Sequence, residues 1–120
     1  MVYLASPYSH KSDVVMKYRE ELVSTVAAEL TAAHRVTLFL PITQSSRMAQ
    51  LRPKLFGTSF SAWKDIDLDA IDHCEEVWVV KIDGWKESIG VTAEILHAEL
   101  QGIPVKFVSP KTYRFVKRGK

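Results

Sequence analysis

The feature that most constrains the fold of this chain is a set of short, continuous apolar segments, each bounded by turn residues. They are Met1–Ala5, Val36–Leu40, Val77–Ile82 and Pro104–Val108. A strand with one face in water alternates apolar and polar residues, whereas a continuous apolar run is typical of a strand buried on both faces. The sequence therefore predicts a mainly parallel sheet of four to five strands, flanked by helices.

Three segments between these strands are predicted to be helices, the first of them with an amphipathic period. They are Ser12–Ala33, Ser61–His73 and Val91–Gln101. Ser88 is a candidate N-cap for the last of them, and Gly102 is its expected stop. The predicted order is β-α-β-loop-α-β-α-β, which indicates an α/β fold with a doubly wound sheet of the flavodoxin or Rossmann type.

Length and composition fit one domain, predicted over residues 1–110, followed by a basic tail at 111–120. The chain has 120 residues, is 47% hydrophobic and carries a formal net charge of +2, so it can bury a core. No apolar run is long enough for a membrane span, and the N-terminus lacks the pattern of a secretory signal. With Cys74 as its one cysteine, we expect a cytoplasmic protein without a membrane partner. The short terminal tail favours a solvated segment over a polynucleotide site.

In doubly wound folds, ligands bind beyond the carboxyl ends of the strands. Three segments meet this condition: Ser6–Lys11, Thr43–Ser61 and Asp83–Gly90. The second is predicted as a loop of about twenty residues, and a loop that long in a small domain is usually functional or mobile.

The segment from Ser88 to Glu94 carries the clearest chemical signal. It begins a helix, where free amide groups and the helix dipole favour an anion such as phosphate. Helical side chains lean toward the N-terminus, so the Glu94 carboxylate overlies Gly90, where the missing side chain leaves room for a ligand. The alternative is a capped surface helix with Glu94 in solvent.

Several motifs occur together with a recognisable order and spacing: Val2-Tyr-Leu-Ala-Ser-Pro-Tyr8, Asp67-Leu-Asp-Ala-Ile71, Ser88-x-Gly90-x-x-x-Glu94 through Ala98, and Gly102-Ile-Pro-Val105. In this arrangement the chain resembles the nucleoside 2-deoxyribosyltransferase superfamily, including its nucleotide N-glycosidase branch. It is most similar to an uncharacterised branch found in bacteria and phages.

The resemblance implies three catalytic residues. Glu94 matches the nucleophile that attacks the anomeric carbon of the sugar, Asp67 the acid/base group, and Tyr3 the tyrosine that orients the nucleophile. An ionised carboxylate stabilises the positive charge that develops on the sugar ring. Without the resemblance, Asp67 would be one of four acids on a solvated helix face, and Tyr3 a core aromatic.

Ser88 distinguishes between substrates within the superfamily. The base-exchanging transferases generally have an aspartate here that binds the free 5′-hydroxyl, whereas the nucleotide N-glycosidases resemble this chain in having serine. A serine hydroxyl can donate to a phosphate that a carboxylate would repel. The resemblance therefore implies a nucleoside 5′-monophosphate as substrate.

Further candidate substrate contacts follow the strands: Ser6, Tyr8, Ser9, Asp83 and Trp85. Where the family has a glycine-rich loop, this chain has Ser6-Pro7, and Pro7 has no amide proton to donate. We expect Arg47 or Arg52 of the long loop to compensate. Trp85 is expected either to stack on a base or to pack at a subunit interface.

The leading hypothesis is hydrolysis of the N-glycosidic bond of a (deoxy)nucleoside 5′-monophosphate, without a metal or organic cofactor. The partner is then a small-molecule nucleotide or nucleoside rather than a polynucleotide, and family members assemble as homodimers or larger homo-oligomers. Two alternatives stay open. One is base exchange between deoxynucleosides, and the other is a nucleotide-binding protein without turnover.

Overall fold

The alternation of buried strands and helices predicted from the sequence is confirmed by a computed structural model, which describes residues 1–119. The strands are β1 (Val2–Ala5), β2 (Leu38–Phe39), β3 (Glu76–Val80), β4 (Val105–Val108) and β5 (Phe115–Val116). The helices are α1 (Asp13–His34), α2 (Pro41–Leu51), α3 (Phe60–Asp72) and α4 (Ile89–Leu100).

The strands form one sheet in the order β2-β1-β3-β4-β5. The first four run parallel, and β5 pairs antiparallel with β4. The chain leaves β1 toward β2 on one side and then crosses back to β3 on the other, so the strand order reverses between β1 and β3. At such a switch point the connections diverge and leave a crevice at the carboxyl ends of the two strands.

Helices cover both faces of the sheet, which explains why its central strands are apolar throughout. On one face, α1 packs against alternate residues of the central strands, among them Leu4, Trp78 and Val80. On the other face, α3 and α4 pack against the intervening residues, among them Tyr3, Val77 and Val79. Within residues 1–119, no helix is both long and apolar enough to cross a membrane.

The predicted loop over Thr43–Ser61 is wrong in its first half, because helix α2 continues to Leu51, whereas residues 52–59 are not helical. Pro41 lies at the first helical position, where its missing amide proton costs nothing. Ile42, Ser46 and Ala49 are buried at helical spacing, and the Ser46 hydroxyl donates to the Glu20 carboxylate of α1. A buried serine interrupts the apolar stripe, which hid the helical period in the sequence.

The basic tail also contains structure that the sequence did not predict. Phe115 and Val116 form β5, and the Phe115 ring packs against Trp78 and His34 with centroid separations of 4.9 and 5.3 Å. A two-residue strand is too short to produce a recognisable period. The tail is therefore partly an edge strand of the sheet rather than wholly a solvated segment.

Candidate functional site

A cavity of about 790 Å³ lies at the carboxyl ends of β1 and β3. Its walls come from the segment after β1, the start of α2, residues 58–67 and residues 84–94, with one further side chain from α1. These segments are far apart in sequence and meet because parallel strands end at the same edge of the sheet. The volume lies in the range of small-molecule binding sites.

Glu94 lies at the inner end of this cavity with its carboxyl group buried. Glu94 is 5% exposed. The hydroxyl of Tyr3, on the central strand β1, donates a hydrogen bond to its carboxylate. Ser88 is the N-cap of α4, and its hydroxyl oxygen accepts a hydrogen bond from the Val91 amide at 3.1 Å. The structure thus brings Tyr3 and Glu94 into contact and does not leave Glu94 in solvent.

Asp67 of α3 lines the same cavity. It is 9% exposed, whereas Asp65, Asp69 and Asp72 on the same helix are exposed. Because α3 packs on α4, the inward face of α3 brings Asp67 close enough to Glu94 for its charge to raise the pKa of Glu94. A solvated acidic face therefore describes the other three aspartates but not Asp67.

The two carboxyl groups have shifted protonation equilibria. Burial raises the pKa of Asp67 to about 6. Burial also raises the pKa of Glu94 to about 8, with the Tyr3 hydrogen bond acting against this shift and the Asp67 charge adding to it. Burial, followed by the Glu94 charge, raises the pKa of the Tyr3 hydroxyl. Between pH 6 and pH 8 the pair of carboxyls therefore holds one proton and one negative charge.

Apolar side chains also line the cavity, among them Ile42, Phe60, Trp63 and Ile89. Gly90 of α4 also lines it, and a Cβ there would lie 3.2 Å from Cδ1 of Phe60. The glycine lets the Phe60 ring approach α4 closely, so part of the space expected for a ligand above Gly90 is occupied by this ring.

Four of the polar residues expected to contact substrate line the cavity: Ser6, Tyr8, Ser9 and Ser88. They differ in what they can still donate. The Ser9 hydroxyl donates to the Thr58 carbonyl, whereas the Ser6 hydroxyl is buried and has no hydrogen-bond partner within residues 1–119. A buried polar group without a partner is costly, and Ser6 is therefore the strongest candidate among them for a ligand contact.

Three of the expected substrate contacts lie outside this cavity. Arg47 is on the exposed face of α2 and donates to Gln50 at 3.4 Å, because the expected loop is a helix there. The Asp83 residue is exposed. Trp85 packs against Phe107, with ring centroids 5.4 Å apart, and lines a separate cavity of about 280 Å³.

The structure adds two cationic residues that the sequence did not single out. Arg19 of α1 lines the cavity, together with Lys64 of α3. In the sequence, Arg19 is followed directly by Glu20 and Glu21, and such a charged segment is typical of the solvated part of a helix. Nothing in the helical period indicates that the loops after β1 and β3 enclose its side chain.

Within the described part of the chain, no group of three or more His, Cys, Asp or Glu side chains could hold a metal ion. Three acidic residues line the cavity: the buried Asp67 and Glu94, and the exposed Glu87.

Comparison with known proteins gives one match. Residues 1–109 match the family described as a domain of unknown function, DUF1937. The match spans β1 to β4 and every residue that lines the larger cavity, while β5 lies beyond it. No protein with a curated description matches the sequence significantly.

Proposed function

Since the chain belongs to the DUF1937 family, whose description carries no activity, we propose a function from the chemistry of its cavity. The proposed reaction is hydrolysis of the N-glycosidic bond of a (deoxy)nucleoside 5′-monophosphate to free base and sugar phosphate. One observation supports this proposal above the others. The buried Glu94 accepts a hydrogen bond from Tyr3 and lies close to the buried Asp67, in a cavity at the switch point of the sheet.

The proposed reaction has two steps. A carboxylate oxygen of Glu94 attacks the anomeric carbon, and the bond to the base nitrogen breaks with its electron pair going to the base, which takes a proton from Asp67. Water then attacks the anomeric carbon of the glycosyl ester, giving a proton to Asp67 while the ester bond breaks and restores the Glu94 carboxylate. Tyr3 holds the attacking carboxylate in place.

The number of protons on the acidic pair fits this chemistry. Glycosidic cleavage with retention needs one ionised carboxyl as nucleophile and one protonated carboxyl as acid. Glu94 and Asp67 together hold one proton around neutral pH, and the higher pKa of Glu94 places it on that residue in the free protein. The proposed reaction therefore requires this proton to pass to Asp67 when a substrate binds. The charge state of the pair is therefore compatible with this chemistry at the pH of the cytoplasm, the compartment we propose.

The first turn of α4 supports a phosphate on the substrate. The amides of Ile89 and Gly90 donate to no acceptor within residues 1–119, since the Ser88 side chain and carbonyl accept from later residues. Free amides at a helix N-terminus bind anions. The unpartnered Ser6 hydroxyl lines the same cavity and can donate to the same group.

Base exchange is the second candidate. The cavity volume of about 790 Å³ leaves room for a second base to enter while the sugar is still attached to Glu94. Transfer to that base would then replace attack by water.

The test is incubation of the purified protein with a panel of ribo- and deoxynucleoside 5′-monophosphates and the matching nucleosides, followed by chromatography for free base. We expect base release from monophosphates. We also expect losses of at least about 10²-fold in rate for Glu94→Gln and Asp67→Asn, with Glu29→Gln, an exposed glutamate of α1, unchanged.

The outcomes separate the candidates. A new nucleoside product on adding a second base would favour exchange over hydrolysis. Nucleotide binding without any release of base would contradict both reactions and favour a binding protein without turnover.

We further propose that the chain forms a homo-oligomer. Three apolar residues on the outer side of α4 are exposed, Ile89 by 80%, Leu96 by 57% and Leu100 by 75%. A second subunit on this face would remove them from water and would lie beside the cavity, which Ile89 also lines. Light scattering should give at least twice the chain mass, and Leu96→Lys with Leu100→Lys should lower it to that of one chain.

A further inference from the structure

Arg19 connects the two segments that form the mouth of the cavity. One guanidinium nitrogen, Nη1, donates to the carbonyl of Ser9 at 3.1 Å and to that of Tyr8 at 3.4 Å. The other, Nη2, donates to the carbonyl of Asp83 at 3.4 Å. A single side chain from α1 thus holds the segment after β1 against the turn after β3, on both sides of the switch point.

The backbone at Gly84 is shaped around this guanidinium. Gly84 has a φ of +95°, and a Cβ at this position would lie 2.6 Å from Nη2 of Arg19. The backbone conformation at this position favours glycine, and the missing side chain leaves room for the guanidinium. Arg19 can therefore lie against this turn and donate to the Asp83 carbonyl.

The charge of Arg19 is not neutralised by a neighbouring side chain. Within residues 1–119, no Asp or Glu carboxylate lies within salt-bridge distance of it, and the adjacent Glu20 accepts a hydrogen bond from Ser46. Its three hydrogen bonds go to uncharged carbonyls, whereas a guanidinium has five N–H donors. Two donors and a full positive charge are left at the wall of the cavity.

We propose that Arg19 is the residue that selects phosphorylated substrates, binding the 5′-phosphate beside Ser6 and the first turn of α4. Arginine binds phosphate through charge-assisted hydrogen bonds from more than one nitrogen. The three carbonyl contacts fix the guanidinium in advance, so little side-chain freedom is lost on binding. The inference rests on the proposed function for the identity of the substrate, but it is tested through binding alone.

The test uses calorimetry to measure how tightly the protein binds the sugar product of the proposed reaction. This product does not depend on which base the substrate carries. The probes are 2-deoxyribose 5-phosphate, ribose 5-phosphate, the unphosphorylated sugars and inorganic phosphate. The variants are Arg19→Gln, Arg19→Lys and, as the matched control, Arg47→Gln, which removes an exposed arginine outside the cavity.

For the wild-type protein we expect a sugar phosphate to bind more tightly than inorganic phosphate or the free sugar. Arg19→Gln should weaken sugar phosphate binding by about 10- to 100-fold, the range for charge-assisted hydrogen bonds. Arg19→Lys should weaken it less because the charge remains, and Arg47→Gln should leave it unchanged. If the hydrolysis occurs, the same loss should appear in KM for monophosphates, with KM for nucleosides unaffected.

Three results would overturn the inference. They are a folded Arg19→Gln protein that binds sugar phosphate normally, equal losses for phosphorylated and free sugars, and inorganic phosphate binding as tightly as sugar phosphate. The first two indicate only a structural tie between the loops, and the third indicates a site for the free anion. Arg19-dependent binding without any release of base would instead contradict the proposed hydrolysis and leave this inference standing.

Discussion

At the scale of the residue, Glu94 combines deep burial with a group that ionises in water at low pH. A carboxylate removed from solvent loses hydration energy, which raises its pKa. The Tyr3 hydroxyl returns part of that energy as a hydrogen bond. Such a residue destabilises the fold when it is ionised. Groups whose pKa is strongly shifted in this way are concentrated at functional sites.

Replacing Glu94 by glutamine should stabilise the fold at alkaline pH. The unfolded chain releases this proton near pH 4.5, whereas the folded protein releases it near pH 8. Between these values the folded state binds more protons, so rising pH favours unfolding of the wild type but not of Glu94→Gln. The gap in the free energy of unfolding should be on the order of a few kcal/mol at pH 8 and near zero at pH 4.

Thermal melts of both proteins from pH 4 to pH 9 measure this gap, with Glu29→Gln as the exposed control. A gap that does not change with pH would contradict the burial of an ionisable Glu94.

The pH dependence of the proposed hydrolysis should be bell-shaped. The reactive form of the carboxyl pair holds one proton, so kcat/KM should rise to a plateau above pH 6, where the pair loses its first proton, and fall above pH 8, where it loses its second. Tyr3→Phe removes a hydrogen bond that lowers the pKa of Glu94. In this variant the alkaline fall of kcat/KM should therefore occur at higher pH, and kcat should be lower. A fall at the same pH as in the wild type would show that Tyr3 does not affect the pKa of Glu94.

At the scale of the element, the first turn of α4 has two roles in one place. The Ser88 side chain caps the helix, while the next two residues line the cavity and their amides have no acceptors among residues 1–119. Helix α1 begins with the same device, since the Ser12 side chain accepts from the Val15 amide at 3.4 Å. Ser12 is not among the residues that line the cavity, so the two caps form a natural pair for comparison.

Ser88→Ala and Ser12→Ala should each lower the free energy of unfolding by about 1 kcal/mol, the usual effect of losing an N-cap hydrogen bond. Only Ser88→Ala should also weaken binding of a sugar phosphate, because its hydroxyl lies at the cavity. Chemical denaturation gives the first quantity and calorimetry the second. Equal binding by both variants would limit Ser88 to capping.

At the scale of the whole molecule, the site depends on strand order more than on any one segment. Ser6 follows β1, Arg19 comes from α1, Asp67 from α3 and Glu94 from α4, and the 2-1-3-4 order of the parallel strands brings these residues to one edge. The strand β5 lies at the far side of the sheet, next to β4 only. It should therefore affect stability without affecting the cavity.

Phe115→Ala tests this separation. The ring packs edge-on against Trp78 and is 40% exposed, so its loss should cost about 1–2 kcal/mol of unfolding free energy. Binding and turnover should match those of the wild type below the melting transition. A loss of binding in the folded variant would show that the edge strand and the cavity are coupled.

The parts of the fold that the sequence predicts are those with a long, uniform burial pattern. The buried strands and the N-cap Ser88 could be predicted because apolar residues follow one another in the strands and a capping serine stands at a fixed place before a helix. Helix α2 could not be predicted because a serine, Ser46, occupies one of its buried positions. Arg19 and Asp67 look solvated in the sequence, since only packing between distant elements encloses them; Asp67 was singled out by resemblance alone.

The larger cavity is lined by an intrinsic fluorophore, the indole of Trp63. Of the three tryptophans, only Trp63 is among the cavity-lining residues; its indole stacks on Phe56 with centroids 5.2 Å apart and donates to the Gly57 carbonyl at 2.6 Å. A base entering beside this indole would quench or shift its fluorescence, whereas Trp78 is enclosed in the sheet. Titration of the unlabelled protein can therefore follow occupancy directly, even for compounds that are bound and never converted.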